Sequence, residues 1–289
     1  MKKILVTGAN GQLGKELRDI AIQFSAYEFL FLSREDMPIH HFELVRHFFD
    51  DFKPDFCINC AAYTAVDKAE SENALAKLVN TESVDILSAV AAAADCRFIH
   101  ISTDYVYSGD GTRPYIETDP TGPLSVYGRT KLDGEIAAIK NDPLAVIIRT
   151  SWVYSVYGHN FVKTMLRLMK ERSEISVVSD QLGSPTYAAD LATCIMHIIS
   201  FNDWHPGVYN FSNEGQTSWF EFALEISRIS GSSCNVNPIP TSAYPTPAKR
   251  PQYSVMDKHK IGETYGIEFK PWKESLRKCI SELNKSSKG

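Results

Sequence analysis

The chain has 289 residues, is 44% hydrophobic and 22% charged, and carries a formal net charge of −5. That is enough apolar material for one large domain or two smaller ones, and the acidic balance argues against a general nucleic-acid-binding surface. The longest apolar runs, such as residues 89–94, are far too short to span a membrane, and the apolar part of "MKKILVTG" is too short for the core of a signal peptide. A cytoplasmic protein is expected, with no membrane or nucleic-acid partner.

Residues 3–7 (KILVT) form an apolar run bounded by Gly8 and predict a first strand. Leu13, Leu17, Ile20 and Phe24 recur at helical spacing and predict a helix over 12–24. A second strand is expected at 27–32, and Phe42, Val45, Phe48, Phe49 and Phe52 mark a helix over 42–52. Residues 55–60 read as a strand that contains Cys57 and Cys60. Residues three apart in a strand point to opposite faces, about 10 Å apart, which is beyond disulfide reach. This C-x-x-C string therefore reads as a buried strand, and the histidines show no zinc spacing, so no metal site is assigned. A long alanine-rich helix over 72–94, a strand at 98–102, a helix over 125–140 and a strand at 145–149 follow. Beyond residue 150 come a helix (160–172), a strand (175–178) and a helix (188–200), then turn-rich stretches such as "NPIPTSAYPTPAKRPQY". The tail "NKSSKG" is expected to fray.

Strands apolar on both faces that alternate with helices predict a parallel sheet covered on both sides. The expected fold class is α/β, a doubly wound Rossmann-like sheet with a smaller, interleaved C-terminal α+β lobe.

"GANGQLG" at 8–14 follows the first strand and opens the first helix. In that context Gly8, Gly11 and Gly14 match a dinucleotide-binding turn: a tight turn, a close approach to pyrophosphate at the helix N-terminus, and close helix packing. The second strand ends before Ser33 and Arg34, which suit the 2′-phosphate of NADPH. Glu35 and Asp36 beyond them keep NADH open, and Arg34 also reads as a solvated charge. The sheet domain is expected over 1–151 and about 174–202, and a substrate-binding lobe over about 152–173 and 203–289.

"SVYGRTKLDGE" places Tyr127 and Lys131 four residues apart on one helical face. Tyrosine is a weak acid with a pKa of about 10. A nearby ammonium favours its ionised form and would lower that value, so Tyr127 is a candidate general acid for an alkoxide. Thr103 ends a strand at the carboxyl edge of the sheet, where open parallel sheets place their sites.

With both motifs in view, the chain resembles the extended short-chain dehydrogenase/reductases. "CAAYTAVDKAE", "ISTDYVYSG", "IRTSWVYS", "DQLGSPTYAADLA" and "RPQYSVMD" narrow the resemblance to the dTDP-4-dehydrorhamnose reductase family over nearly the whole chain. Two departures stand out: Pro38-Ile39 where the family commonly has an acidic residue, and Tyr253 where it has asparagine.

The resemblance implies that NADPH delivers hydride to the C4 ketone of a dTDP-bound 4-keto sugar, giving dTDP-L-rhamnose for surface polysaccharide. It implies catalytic roles for Thr103, Tyr127 and Lys131. It implies cofactor contacts from Gly8, Asn10, Gly11, Gln12, Leu13, Gly14, Ser33, Arg34, Ala61, Ala62, Tyr63, Thr64, Tyr127 and Lys131. Substrate contacts fall to Val66, Thr103, Asp104, Tyr127, Trp152, Asn160 and Arg250. Several of these have plainer readings: Trp152 as core, Asn160 as a helix cap, Arg250 as a surface ion pair. Some members of the family form a homodimer around Mg²⁺; Glu16 and Asp190 are candidate ligands, and two scattered acids do not indicate a site. The competing functions are a nucleotide-sugar epimerase or dehydratase of the same superfamily, and a non-catalytic homologue resembling the regulatory subunit of methionine adenosyltransferase.

Overall fold

The computed structural model describes residues 1–286. Strand β1 (Lys2–Thr7) turns through the glycines into α1 (Gln12–Ala21), and β2 (Tyr27–Leu32), α2 (Phe42–Phe52) and β3 (Phe56–Asn59) repeat the unit. Two short helices follow, α3 (Val66–Ala69) and α4 (Asn73–Lys77), then a π-turn at Leu78–Glu82 and α5 (Ser83–Ala93). Next come β4 (Arg97–Thr103), a 3₁₀ turn at Asp104–Val106, α6 (Val126–Asn141) and β5 (Val146–Thr150). The remainder holds β6 (Val153–Tyr154), α7 (Phe161–Glu171), β7 (Glu174–Val178), β8 (Leu182–Gly183), β9 (Thr186–Tyr187) and α8 (Ala188–Ser200). It ends with β10 (Gly207–Phe211), β11 (Thr217–Ser218), α9 (Trp219–Ser230), β12 (Asn235–Ile239), α10 (His259–Tyr265) and α11 (Trp272–Ser286).

Six strands form one sheet in the order β10-β5-β4-β3-β1-β2, and every pairing in it is parallel. Side chains alternate across a strand, so each strand feeds two cores. Ile4, Val6, Ile58, Ile99 and Ile148 pack under Leu17 of α1 and Leu191, Ile195 and Ile198 of α8. Leu5, Cys57, Phe98 and Ile147 pack on the other face under Val45 and Phe49 of α2, Leu87 of α5 and Ala138 of α6. This explains why the strands read as continuous apolar runs. Burying each such side chain stabilises the fold by roughly 1.5–3 kcal/mol. Cys57 joins the second core while Cys60 packs against the first, as opposite faces require. A third core, built from α7, α9 and α11, belongs to the smaller lobe. Its three two-stranded ladders pair β7 with β12, β8 with β11, and β6 with β9.

The structure departs from the sequence reading at four places. Helix α1 stops at Ala21, and Gln23 and Phe24 instead donate to carbonyls three residues back, which tightens the chain toward β2. The helix expected over 72–94 is broken by the π-turn, which holds the fully buried Asn80. Residues 207–211, assigned to the substrate lobe, hydrogen bond to β5 as the edge strand of the main sheet. Residues 284–286 of the tail expected to fray lie in α11, and residues 287–289 lie outside the described residues.

Candidate active site

Because the sheet is parallel, β1, β3, β4 and β5 all deliver their carboxyl ends to one edge, at Thr7, Asn59, Thr103 and Thr150. Two adjoining cavities lie there, of about 340 Å³ and 570 Å³, and both are lined by Asn10, Gly11, Cys60 and Ala62.

The glycine turn forms the floor of the cleft. Gly8 has φ +64°, and a Cβ on it would stand 2.7 Å from the Ala61 nitrogen. A Cβ on Gly14 would stand 2.5 Å from the Gly8 carbonyl oxygen. Only glycine lets these three segments approach so closely. Gly11 is the N-cap of α1 and brings no side-chain cap, so the leading N–H groups and the positive end of the helix dipole are available to an anion. Gln12, Leu13 and Thr64 line the larger cavity, while Gly8, Ser33, Arg34, Ala61 and Tyr63 line the smaller one. Gly14 lines neither and acts through packing. This cradle fits a dinucleotide.

Ser33 and Asp36 close a small turn at the end of β2. The Ser33 N–H donates to Asp36 Oδ2 at 2.9 Å, and Ser33 Oγ accepts from the N–H groups of Glu35 and Asp36. The Ser33 hydroxyl holds the Glu35 carboxyl below its usual range, and the Ser33 backbone N–H, then its hydroxyl, hold Asp36 below its own. Asp36 is thereby tied back into the turn, and Arg34 is left exposed at the cavity wall. Pro38 and Ile39 complete that wall.

Tyr127, Lys131, Thr103 and Asp104 all line the larger cavity. Ser125 caps α6 by accepting from the Gly128 N–H at 3.1 Å, which puts Tyr127 in the first turn and Lys131 in the next. The Tyr105 and Tyr127 rings meet edge to face at 5.5 Å. Burial pushes the Tyr127 phenol up to about 12; the neighbouring Thr103 hydroxyl opposes this and the charge of Asp104 adds to it. The expectation that Lys131 lowers this value is corrected by where the ammonium points. Lys131 is 1% exposed, and its Nζ reaches back under β4. There it donates to the Ile101 carbonyl at 2.6 Å and stands 3.1 Å from His100 Nε2. Burial brings Lys131 down to about 8, against the pull of Glu135 and Cys60.

Asp104 is 2% exposed; its Oδ1 accepts from the Thr103 hydroxyl at 3.1 Å, and its Oδ2 has no partner. Burial pushes this carboxyl up to about 6, opposed by the Ser254 and Thr103 hydroxyls. A buried oxygen without a partner at a cavity wall suits a sugar hydroxyl. Val66 and Trp152 line the same space. Trp152 has φ +48°, and its indole stacks on Trp219 with centroids 3.5 Å apart.

Other expected residues are engaged elsewhere. Asn160 caps α7 by accepting from Lys163 N–H at 3.1 Å, and its Nδ2 donates to Gln12 Oε1 at 2.9 Å, so it braces a lining residue and does not line the cavity itself. Arg250 grips Asp67 with two parallel bonds of 2.8 and 2.7 Å, and lines a neighbouring cavity of about 490 Å³. Glu16 takes the Ser155 hydroxyl at 2.5 Å, whereas Asp190 takes Ser275, Asn213 and Lys270. Among the described residues no group of three or more His, Cys, Asp or Glu is placed to hold a metal.

Sequence reasoning missed the supports. Asn80 accepts from the Tyr63 N–H at 2.8 Å and donates to the Tyr63 carbonyl and Thr130 Oγ1, which ties the 61–64 loop to α6. Glu135, 2% exposed, receives Arg149 and the Ser102 hydroxyl. Only the spacing of Glu135 one turn past Lys131 hinted at it.

A family model described as the RmlD substrate binding domain matches residues 1–285. A dTDP-4-dehydrorhamnose reductase of Burkholderia thailandensis is 42% identical over 297 residues, covering 97% of this chain and 99% of the relative. The crystal structure of a dTDP-4-dehydrorhamnose reductase from Clostridium acetobutylicum superposes with a TM-score of 0.94 at 40% identity, covering 98% of this chain and 99% of that one. One from Bacillus anthracis, solved in complex with NADP, gives a TM-score of 0.94 at 38% identity, covering 98% and 100%. The chain belongs to the dTDP-4-dehydrorhamnose reductase family.

Proposed function

We propose that the chain reduces the C4 ketone of dTDP-4-dehydro-L-rhamnose to dTDP-L-rhamnose with NADPH, a step in the supply of surface polysaccharide. The observation that carries this reading is the meeting of Thr103, Tyr127 and Lys131 in the cavity that opens from the glycine turn. NADPH supplies the hydride when bound. Tyr127 gives its proton to the ketone oxygen as charge develops there, a contribution of about 10²–10⁴-fold. With its phenol held at about 12, Tyr127 stays protonated at neutral pH and is ready to donate. Thr103 hydrogen bonds the same oxygen, and Lys131, as the ammonium, donates to the cofactor. Val66, Asp104 and Trp152 contact the sugar. Ser33 and Arg34 take the 2′-phosphate, which sets NADPH ahead of NADH.

The test follows NADPH absorbance with dTDP-4-keto-L-rhamnose and with the corresponding UDP and GDP keto-sugars. Consumption with the dTDP sugar is expected. No consumption with any of them overturns the reading, and equal rates with all three overturn its nucleotide preference.

A cytoplasmic setting belongs to the same proposal and is supported by six cysteines that are all free thiols. The division into a sheet domain and a substrate lobe is kept, with β10 counted in the sheet. The family resemblance carries a homodimer as well, which light scattering tests.

A further inference from the structure

Behind Lys131 lies a buried row of polar side chains that the reduction does not use: Thr7, Asn59 and His100. They are 1%, 0% and 0% exposed. Asn59 Oδ1 accepts from the Thr7 hydroxyl at 2.7 Å and from the Ala61 backbone N–H at 3.2 Å. A backbone N–H can only donate, so the carboxamide has one orientation: oxygen toward Ala61, NH₂ toward His100. Asn59 Nδ2 stands 3.0 Å from His100 Nδ1, and Nδ1 therefore accepts. A neutral imidazole carries a single proton, which is then on Nε2, and Nε2 stands 3.1 Å from Lys131 Nζ. An ammonium has three donors and no acceptor. The contact is satisfied when Lys131 is the amine, and sets donor against donor when it is the ammonium.

We infer that His100 is a positioning residue: its tautomer, locked by Asn59, opposes the ammonium form of Lys131 and so sets the upper pH limit of the reductase. The row is a lock and not a proton wire, because the carboxamide of Asn59 does not titrate and so relays no proton. His100 is itself held neutral by burial and by the charge of Lys131. The other charged or titratable groups facing Lys131 are Cys60 at the end of β3, and Glu135 and Tyr127 on α6; Arg149 of β5 is paired to Glu135. Glu135 and Cys60 favour the ammonium, so His100 is the neighbour whose hydrogen bonding works against it.

The kinetic part of this inference rests on the proposed reduction; the tautomer does not. In ¹⁵N-histidine-labelled full-length protein at pH 7, long-range ¹H–¹⁵N spectra are expected to show His100 as the Nε2–H tautomer. An Nδ1–H tautomer or an imidazolium overturns the inference, whether or not the protein turns over any sugar. The basic limb of kcat against pH is then compared in wild type, His100→Phe, which removes the donor, and Asn59→Asp, whose carboxylate accepts from Nδ1 and turns the Nε2 lone pair toward Lys131. Both limbs are expected to move up by about 1 pH unit, with KM for NADPH changed less than threefold. A limb that stays in place in a folded, active variant overturns the inference while the reduction stands. If neither variant folds, the wild-type tautomer decides alone.

Discussion

Arg149 and Glu135 face each other as a buried fork: Nε donates to Oε1 at 3.0 Å and Nη2 to Oε2 at 2.7 Å, with the side chains 5% and 2% exposed. Ser102, next to Thr103, donates to the same carboxylate, and Arg149 also donates to the Tyr107 hydroxyl at 2.9 Å. The pair thus fixes the end of β4 against α6, and with it the distance between Thr103 and Tyr127. Removing one partner strands a buried charge, which costs about 3–5 kcal/mol. Arg149→Met is expected to lose stability of that order in urea unfolding, and Arg149→Met with Glu135→Leu to recover much of it. A double variant no more stable than the single one would contradict this account.

Tyr127→Phe keeps the ring against Tyr105 and removes the proton. kcat is expected to fall by about 10²–10⁴-fold, while NADPH binding, followed by fluorescence titration, stays within a few-fold of wild type. Retention of a tenth or more of kcat would rule out Tyr127 as the proton donor.

Asp104 ties stability to pH. Its folded value of about 6 lies above the ordinary aspartate value of about 4, so the folded chain binds that proton more tightly than the unfolded chain. The resulting stabilisation is complete below about pH 4 and is lost as the pH rises through 6. Asp104→Asn removes this dependence. Its melting temperature relative to wild type is expected to climb between pH 4.5 and 7.5, and to level off above that. A difference that is flat with pH would show that the carboxyl is not held in this way.

Arg34 stands exposed at the wall of the smaller cavity, while Asp36 is turned onto the Ser33 N–H. Arg34→Ala is expected to raise KM for NADPH about tenfold or more and to leave KM for NADH nearly unchanged, measured in parallel steady-state assays. Equal effects on the two cofactors would place the 2′-phosphate elsewhere.

The sheet was legible because short continuous apolar runs set between helical periodicities, and the glycine turn, are local signals. Thr103 was legible because it closes an apolar run at the sheet edge. What was not legible depends on reach or on distant partners. The i, i+4 spacing put Lys131 on the face of Tyr127, but a flexible four-carbon stem carries its Nζ away to the Ile101 carbonyl. Arg250 was read both as a substrate contact and as a surface ion pair, and no local signal could name its partner, because Asp67 lies 183 residues earlier in the chain. The π-turn at Asn80 leaves no periodic mark in an alanine-rich stretch, since its cause is the Tyr63 backbone and Thr130. Strand β10 was hidden because "GVYNF" is short and sits among turns; only its pairing with β5 defines it.

The stack of Trp152 on Trp219 has an optical consequence. With centroids 3.5 Å apart and ring planes within 8°, the two indoles couple electronically, and one of them is also a wall of the cavity. On the proposed function, a sugar seated against Trp152 is expected to perturb one member of that pair and to change the emission and ultraviolet dichroism of both. That contact would make the pair a chromophore for occupancy, readable without label, cofactor turnover or added dye, and Trp219→Phe is expected to silence the coupling while leaving the wall in place.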